Sequence, residues 1–482
     1  MRDMDRNAYR LVVIGGGITG LSAAHRLVEA GREQSIPIDV RVLEASGRIG
    51  GHIRTERVGE FLIEAGPDSL LGRKPAAERL CERIGLGGDL VPLGGPATGT
   101  EVVLRGRLRR VPDGFLLMAP RKLGPMLRSP LFSPLGKLRM LCEPWVARRP
   151  ETVTDESLAS FVRRRFGREV LERVAEPIVG GLYTARAEDL SLRLTLPQFL
   201  DFEETHGSVT PALRRARAPE AGRRASFLTL AGGLERLVEK LGSTLPAGAI
   251  STSAEVQMLR YEPGRASWRI QLTSGATLGA DAVVLACPAF VSSRLLRESD
   301  SELAGALAGL SYASCATVTL AYPESAVALP SKGSGFFVGR TEHLPILACS
   351  YVSRKFEGRA PHGVVMLRCF LGGAQNPGVL EREDGELAEL AHATLGRLLR
   401  IAGKPSLARV HRFPDSMPQY RVGQASRIEA LQTRVERRPG LQLAGSVVGA
   451  NGIPDCIQSG EDAAERALER LADRAERLRS AI

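Results

Sequence analysis

The stretch Val12-Val13-Ile14-Gly15-Gly16-Gly17-Ile18-Thr19-Gly20-Leu21-Ser22-Ala23-Ala24 decides how the rest of the chain is read. A short apolar run, Leu11 to Ile14, enters a cluster of glycines, and a helical face of Leu21, Ala24, Leu27 and Val28 comes next. Gly15, Gly17 and Gly20 stand at G-x-G-x-x-G spacing between strand and helix. The first glycine turns the chain, the second admits a pyrophosphate to the backbone, and the third lets helix pack on strand. The helix start then presents free N–H groups and the positive end of its dipole to the diphosphate. A second strand, Val40-Arg41-Val42-Leu43, ends at Glu44, whose distance from Gly20 is stretched by the polar insertion Arg32 to Ile36. Its carboxylate is suited to accept hydrogen bonds from an adenosine ribose and to repel a 2′-phosphate, which argues against NADP.

The residues just past Glu44 separate FAD from NAD. The run Glu44-Ala45-Ser46-Gly47-Arg48-Ile49-Gly50-Gly51 offers a guanidinium and a second glycine turn, where an extended dinucleotide needs further phosphate and flavin contacts. Gly66-Pro67-Asp68-Ser69 is a tight turn, with two readings: backbone set against an isoalloxazine ring, or a plain turn.

The chain of 482 residues exceeds what one hydrophobic core usually supports, so two or three domains are expected. Its seven cysteines lie far apart and form no C-x-x-C pair, which points to reduced thiols in a cytoplasm rather than a disulfide frame. The segment Met1 to Arg10 alternates charges and has no apolar core, so it does not read as a secretory signal. Leu303 to Tyr322 is uncharged and long enough to span a bilayer, yet it is rich in Gly, Ser and Thr and turns β-like at Cys315. A helix end leading into a buried strand is the expectation, with no transmembrane segment. No histidine or cysteine spacing suits a metal, and no Walker loop or G-x-S-x-G elbow occurs.

Lys and Arg total 65 against 54 Asp and Glu, a surplus of 11. Between Arg105 and Arg224 there are 23 basic and 14 acidic side chains, so one region carries most of that surplus. Such a surface suits anionic lipid, nucleic acid or an acidic small molecule. A bias that uses Arg throughout the chain, 58 against 7 Lys, explains it equally well.

Sheet-forming segments recur at the beginning, middle and end, as in Trp268–Leu272, Ala282–Ala286 and Leu441–Ala444, with a helix expected from about Ser459 after the last of them. From about Gly85 to Asp201 the pattern is helical, with Asp155 as an N-cap before Leu158, Phe161, Val162, Phe166, Val170 and Val174. The expected fold class is α/β: a discontinuous Rossmann-like FAD-binding domain with an inserted α+β substrate domain and a helical domain. Its segments are placed at residues 1–85, 211–290 and 426–482. The helical, basic part, facing substrate or membrane, is placed at 86–210, and the substrate-binding part at 291–425.

These features resemble the flavin amine oxidase and phytoene desaturase superfamily, and more closely the bacterial porphyrinogen oxidases of haem biosynthesis. The likeness runs nearly end to end. Its narrower marks are Glu64 to Ser69, Glu176-Pro-Ile-Val-Gly-Gly-Leu-Tyr183, Leu190-Ser191, Pro197-Gln-Phe199, Met417-Pro-Gln-Tyr420 and Gly452-Ile-Pro-Asp-Cys-Ile-Gln-Ser-Gly460. The resemblance implies FAD held by Gly15, Gly16, Gly17, Ile18, Thr19, Gly20, Glu44, Ala45, Arg48, Gly51, Gly66, Pro67, Asp68 and Ser69. It also implies adenine contact at the Val256 backbone, and flavin contact at Gly445, Gly452 and Ile453. Gly445-Ser446 departs from the superfamily's Gly-Asp, and Thr184-Ala185 after Tyr183 departs from its Ala-Gly.

The implied reaction is the six-electron aromatisation of a porphyrinogen, in three two-electron transfers to flavin with dioxygen as acceptor. The protein must supply a broad apolar slot, cations for propionates and dipoles for cationic intermediates. Gly180-Gly181 read either as backbone carbonyls approaching the macrocycle or as a helix C-cap. Arg73 and Lys74 read either as propionate ligands or as solvated charges. Coproporphyrinogen III is the expected substrate and protoporphyrinogen IX the alternative. An amine oxidase, a carotenoid desaturase and a non-enzymatic flavin scaffold stand further off, since neither an aromatic cage nor a lysine suited to flavin N5 is visible. Expected partners are the porphyrinogen and dioxygen, with no nucleic acid. Peripheral contact with an anionic membrane and with a later haem-pathway enzyme, and the oligomeric state, are left open.

Overall fold

The computed structural model describes residues 8–94, 99–150, 152–215, 227–330 and 333–480, with side chains described as far as residue 472. Most of the Met1–Arg10 segment, and Arg217, Arg223 and Arg224 of the basic region, lie outside the described residues.

Strand β1 (Tyr9–Ile14) runs into helix α1 (Ile18–Glu33) and returns as β2 (Ile38–Leu43), all parallel in one sheet. Three distant strands complete it: Ile250–Ser251 outside β2, then Ala282–Leu285 and Leu441–Leu443 on the other side of β1. Val12 and Val13 are wholly buried because both faces are covered, as parallel sheets require. Alternation along β1 assigns the faces. Leu11 and Val13 pack with Leu21 and Leu27 of α1 and with Ala463 and Leu468 of the last helix, Ile453–Ser480. Val12 and Ile14 pack with Val256, Leu259, Trp268 and Ile270 of an antiparallel meander, Val256–Glu262, Ser267–Leu272 and Thr277–Ala280. Only the middle of these strands was anticipated; the third comes just after the Ser274-Gly275 turn.

A second, seven-stranded sheet is built around Tyr312–Pro323, flanked by Leu407–Pro418 and Val364–Gly372. As expected, the uncharged stretch divides into a helix, Ser301–Ala308, and this strand. Among the described residues no helix is long and apolar enough to cross a membrane.

Three expectations need correction. The helical reading from Gly85 fails at the hairpin Glu101–Leu104 and Arg107–Arg110, which joins the seven-stranded sheet beside Gly335–Phe337. Its alternation was hidden by the arginines of a strand at the sheet edge, where charges discourage further pairing. Asp155 does not cap the helix Leu158–Arg165: Ser157 does, accepting from the Ser160 N–H. Asp155 instead accepts from Ser191 Oγ and the Gly423 N–H. Finally, the last helix starts at Ile453 rather than near Ser459, because Pro454 in a first turn has no helical N–H to lose. The apolar positions from Leu158 to Val174 are buried as the helical spacing predicted.

Candidate cofactor and substrate site

At the end of β1 each glycine has a distinct environment. Gly15 has φ of +109°, and a Cβ there would stand 2.7 Å from the Ala286 carbonyl oxygen. A Cβ at Gly20 would lie 1.9 Å from the Gly15 carbonyl oxygen, so α1 can pack this close only with glycine. Among the described residues, a Cβ at Gly17 would meet no atom within 4 Å, which leaves its backbone approachable by a ligand. Ile18 and Thr19 open α1 and are buried. Glu44 folds back on this loop: Oε2 accepts the Gly16 N–H at 2.7 Å, while Oε1 accepts the Ser46 N–H at 2.8 Å. Ala45 beside it is exposed.

The second glycine turn lies against the first, with the Gly50 N–H donating to the Gly16 carbonyl at 2.7 Å. Gly51 has φ of +57°, and a Cβ there would be 3.4 Å from the Gly17 Cα. Arg48 donates to the carbonyls of Gly51 at 2.8 Å and Ile53 at 2.5 Å, and lies 3.4 Å from Glu235. Those donors shape the turn. The Ala254 N–H bonds to the Glu44 carbonyl at 2.8 Å, which brings the strand opening at Val256 beside the carboxylate end of β2.

The Gly66 turn is packed more tightly than its sequence implied. A Cβ at Gly66 would stand 1.9 Å from the His52 carbonyl oxygen. Asp68 in the same turn accepts from Ser69 Oγ at 2.7 Å and from Lys355 Nζ at 3.0 Å. Burial alone would raise its carboxyl, but Lys355 and Arg368 outweigh burial and hold it below the ordinary range. Glu64 is buried and pushed up by desolvation, with Arg359 at 3.1 Å opposing. Lys355, Arg359 and Arg368 were all missed in the sequence. Arg368 had a usable signal, a single charge in the apolar run Val364 to Gly372.

The last helix closes the site. Gly445 has φ of +87° and donates its N–H to Ser459 Oγ at 2.9 Å; a Cβ there would be 3.2 Å from Thr19 Oγ1. Ser446 Oγ shares a 2.9 Å hydrogen bond with Tyr312 Oη. Gly452 has φ of +84°, a Cβ there would meet no atom of the described residues within 4 Å, and Ile453 beside it is buried. Lys74 Nζ reaches Asp455 in the first turn of this helix at 2.6 Å, and Arg73 is exposed. Tyr183, pushed up to about 12 by burial, donates to the Thr195 carbonyl at 3.0 Å and is in hydrogen-bond reach of Asn451.

Gly180 and Gly181 do not form a C-cap. Both have right-handed helical angles, and the left-handed position is Thr184 at φ of 50°. A Cβ at Gly180 would be 2.7 Å from Gln375 Nε2, and one at Gly181 2.8 Å from Phe337 Cδ1. The Gly180 carbonyl accepts the Ala185 N–H at 3.0 Å. Close packing therefore accounts for the lack of a side chain at both positions.

The donor set fits a dinucleotide. Backbone near Gly17 and Gly452 is open to approach, and the loop carries a carboxylate suited to a ribose. The flavin containing amine oxidoreductase family matches residues 18–468. Coproporphyrinogen III oxidase of Bacillus subtilis (strain 168) is 34% identical over 97% of this chain and 100% of its own. A chloroplastic protoporphyrinogen oxidase of Oryza sativa subsp. japonica is 30% identical over 95% of this chain and 88% of its own. The solved structure of a candidate protoporphyrinogen oxidase from Exiguobacterium sp. 255-15 superposes with a TM-score of 0.84 at 30% identity, covering 96% of this chain and 99% of that one.

Proposed function

The chain belongs to the flavin containing amine oxidoreductase family, and from that premise we propose that it oxidises coproporphyrinogen III to coproporphyrin III in haem biosynthesis, with FAD as cofactor and dioxygen as acceptor. The observation that carries this reading is the end-to-end likeness to the Bacillus protein of that activity. Bound FAD would supply the two-electron acceptor and return the electrons to dioxygen. The N–H groups of Gly17 and the start of α1 hold the pyrophosphate, and Glu44, which already engages the Gly16 N–H, holds the ribose. The backbone of Val256 takes the adenine end. Gly51, the Gly66–Ser69 turn, Gly445, Gly452 and Ile453 frame the flavin. Arg48 acts through the glycine turn that it fixes. Lys74 exchanges Asp455 for a substrate propionate, with Arg73 beside it at the exposed rim.

Protoporphyrinogen IX is the second reading, favoured by the likeness to the rice protein. Parallel turnover assays on the purified yellow holoprotein separate the two, with porphyrin fluorescence as readout. The expected result is a higher kcat/KM for coproporphyrinogen III. A higher value for protoporphyrinogen IX reverses the assignment, and no fluorescence from either, with polyamine oxidation instead, rejects both.

The same protein would work in the cytoplasm at the inner membrane face. In the basic helical region Leu135 is 78% exposed and Trp145 81%, with Leu138 between them and Lys122 and Arg128 exposed nearby in the chain. Apolar anchors among cations suit an anionic lipid surface.

A further inference from the structure

Arg368 interrupts an apolar strand, and the side chain is only 3% exposed. Nη2 donates to the carbonyl oxygens of Gly66 and, at 3.3 Å, Ala65. Among the described residues, Nε and Nη1 have no hydrogen-bond partner. Asp68 Oδ2 lies 3.8 Å from Nη1, too far for a hydrogen bond, and its carboxylate is already engaged by Lys355 and Ser69. Arg359 is likewise committed to Glu64, Thr229 and the Leu230 carbonyl. Three cations, Lys355, Arg359 and Arg368, thus meet two carboxylates, Glu64 and Asp68. The unbalanced charge and the idle donors sit on the same guanidinium.

A buried cation with idle N–H groups is costly, and folded proteins give such groups a partner. The ring of Phe370, 4.9 Å from the guanidinium carbon, covers it but offers no hydrogen-bond acceptor atom of its own. The missing partner must accept hydrogen bonds and carry or acquire negative charge. Resting on the reading that the Gly66–Ser69 turn meets the isoalloxazine ring, we propose that Arg368 is the cation set against the flavin. Its Nε–H and Nη1–H donate to acceptor atoms of the ring. In each two-electron step a porphyrinogen C–H bond breaks, its hydride joins the ring, and the substrate cation left behind loses an N–H proton to solvent. The ring gains one negative charge, and Arg368 is the group that offsets it.

Sulfite tests this without turnover, because its addition to flavin also leaves the ring negative and bleaches the yellow colour. The purified holoprotein should bind sulfite, Arg368→Met should weaken that binding at least about tenfold, and Arg368→Lys should restore most of it. Equal sulfite affinity in Arg368→Met and wild type overturns the assignment. Arg368→Gln, which keeps an amide N–H for Gly66 without the charge, serves if the Met variant fails to fold. Should neither accumulate, a wild-type holoprotein that sulfite never bleaches overturns it as well. A wild type that takes up no FAD defeats the underlying flavin reading, whereas normal FAD uptake with unaltered sulfite affinity in the variants defeats only the role of Arg368.

Discussion

Lys74 Nζ lies 2.6 Å from one Asp455 carboxylate oxygen and 2.8 Å from the other, tying the segment after the Gly66 turn to the first turn of the last helix. The pair is half exposed on the lysine side, so it adds little to stability, on the order of 0–1 kcal/mol. Its value lies in an ammonium held where an incoming carboxylate can displace Asp455. Lys74→Met should raise the KM for coproporphyrinogen III about tenfold, with kcat and Tm nearly unchanged. Asp455→Asn, which frees the ammonium, should leave KM equal or lower. Steady-state kinetics on both variants checks this, and an unchanged KM in Lys74→Met removes the lysine from substrate binding.

Glu44 accepts hydrogen bonds from two backbone N–H groups, on Gly16 and Ser46, and faces the expected ribose. Bonds to a charged acceptor are worth roughly 1.5–3 kcal/mol each. Glu44→Gln should therefore weaken FAD binding by about 10- to 100-fold. Titrating FAD into apoprotein and monitoring flavin fluorescence quenching gives the number; affinity equal to wild type places the ribose elsewhere.

Glu176 is buried in the helical segment that carries Gly180, and desolvation pushes its carboxyl up to about 7 despite Arg340 at 3.5 Å. The folded protein then binds this proton more tightly than the unfolded chain. Its contribution to stability is fully present below about pH 4.5 and is lost as pH rises towards 7. Glu176→Gln should remove this slope and stabilise the protein at pH 8, by on the order of 2 kcal/mol. Urea denaturation of wild type and variant at pH 5 and pH 8 tests it; parallel pH dependence in the two proteins refutes it.

Local backbone demands made the nucleotide loop legible. Gly15, Gly17 and Gly20 are dictated by contacts within one βα turn, and their spacing already states those contacts. The discontinuous sheet was also legible, because Ala282–Leu285 and Leu441–Leu443 keep the continuous apolar character of buried parallel strands. Asp155 and Ser157 are both good capping residues two positions apart. Only the distant Ser191 and Gly423, which recruit Asp155, decide between them. Arg368 takes its meaning from a turn 302 residues earlier, and Lys355 from one 287 residues earlier, separations across which sequence periodicity carries no information. Arg48 was read by its type as a cofactor contact, and its bonds to the Gly51 and Ile53 carbonyls, which hold the second glycine turn, were not legible from type alone.

Arg165 is fully buried between Glu143 and Glu203, with Nη1 3.1 Å from Glu143, and it also donates to the Gly207 carbonyl. Glu143 in turn accepts from Ser208 Oγ at 2.6 Å and from the N–H groups of Val209 and Thr210. Arg165→Met would leave two carboxylates short of their shared cation in the core. The expected loss is about 3–5 kcal/mol. Chemical denaturation measures it, and a loss below about 1 kcal/mol would mean that the network relaxes without its centre.

Leu135 and Leu138 stand three residues apart on the helix Pro134–Leu141, and Trp145 ends the short 3-10 turn Glu143–Trp145 that follows, so the three exposed apolar side chains lie close together in the chain. Leu127, also exposed, precedes them, and Lys122 and Arg128 add positive charge. Inserting such side chains into a lipid interface is worth up to about 1.5–3 kcal/mol each, while the cations add attraction that salt screens. The holoprotein should therefore sediment with phosphatidylglycerol vesicles at low salt, and less with phosphatidylcholine vesicles or at high salt. A triple variant, Leu135→Ser, Leu138→Ser and Trp145→Ser, should lose at least about tenfold in partitioning while its flavin absorbance stays unchanged. Wild-type protein that stays in the supernatant with phosphatidylglycerol vesicles rules the membrane contact out, and equal sedimentation of the triple variant moves it to another face.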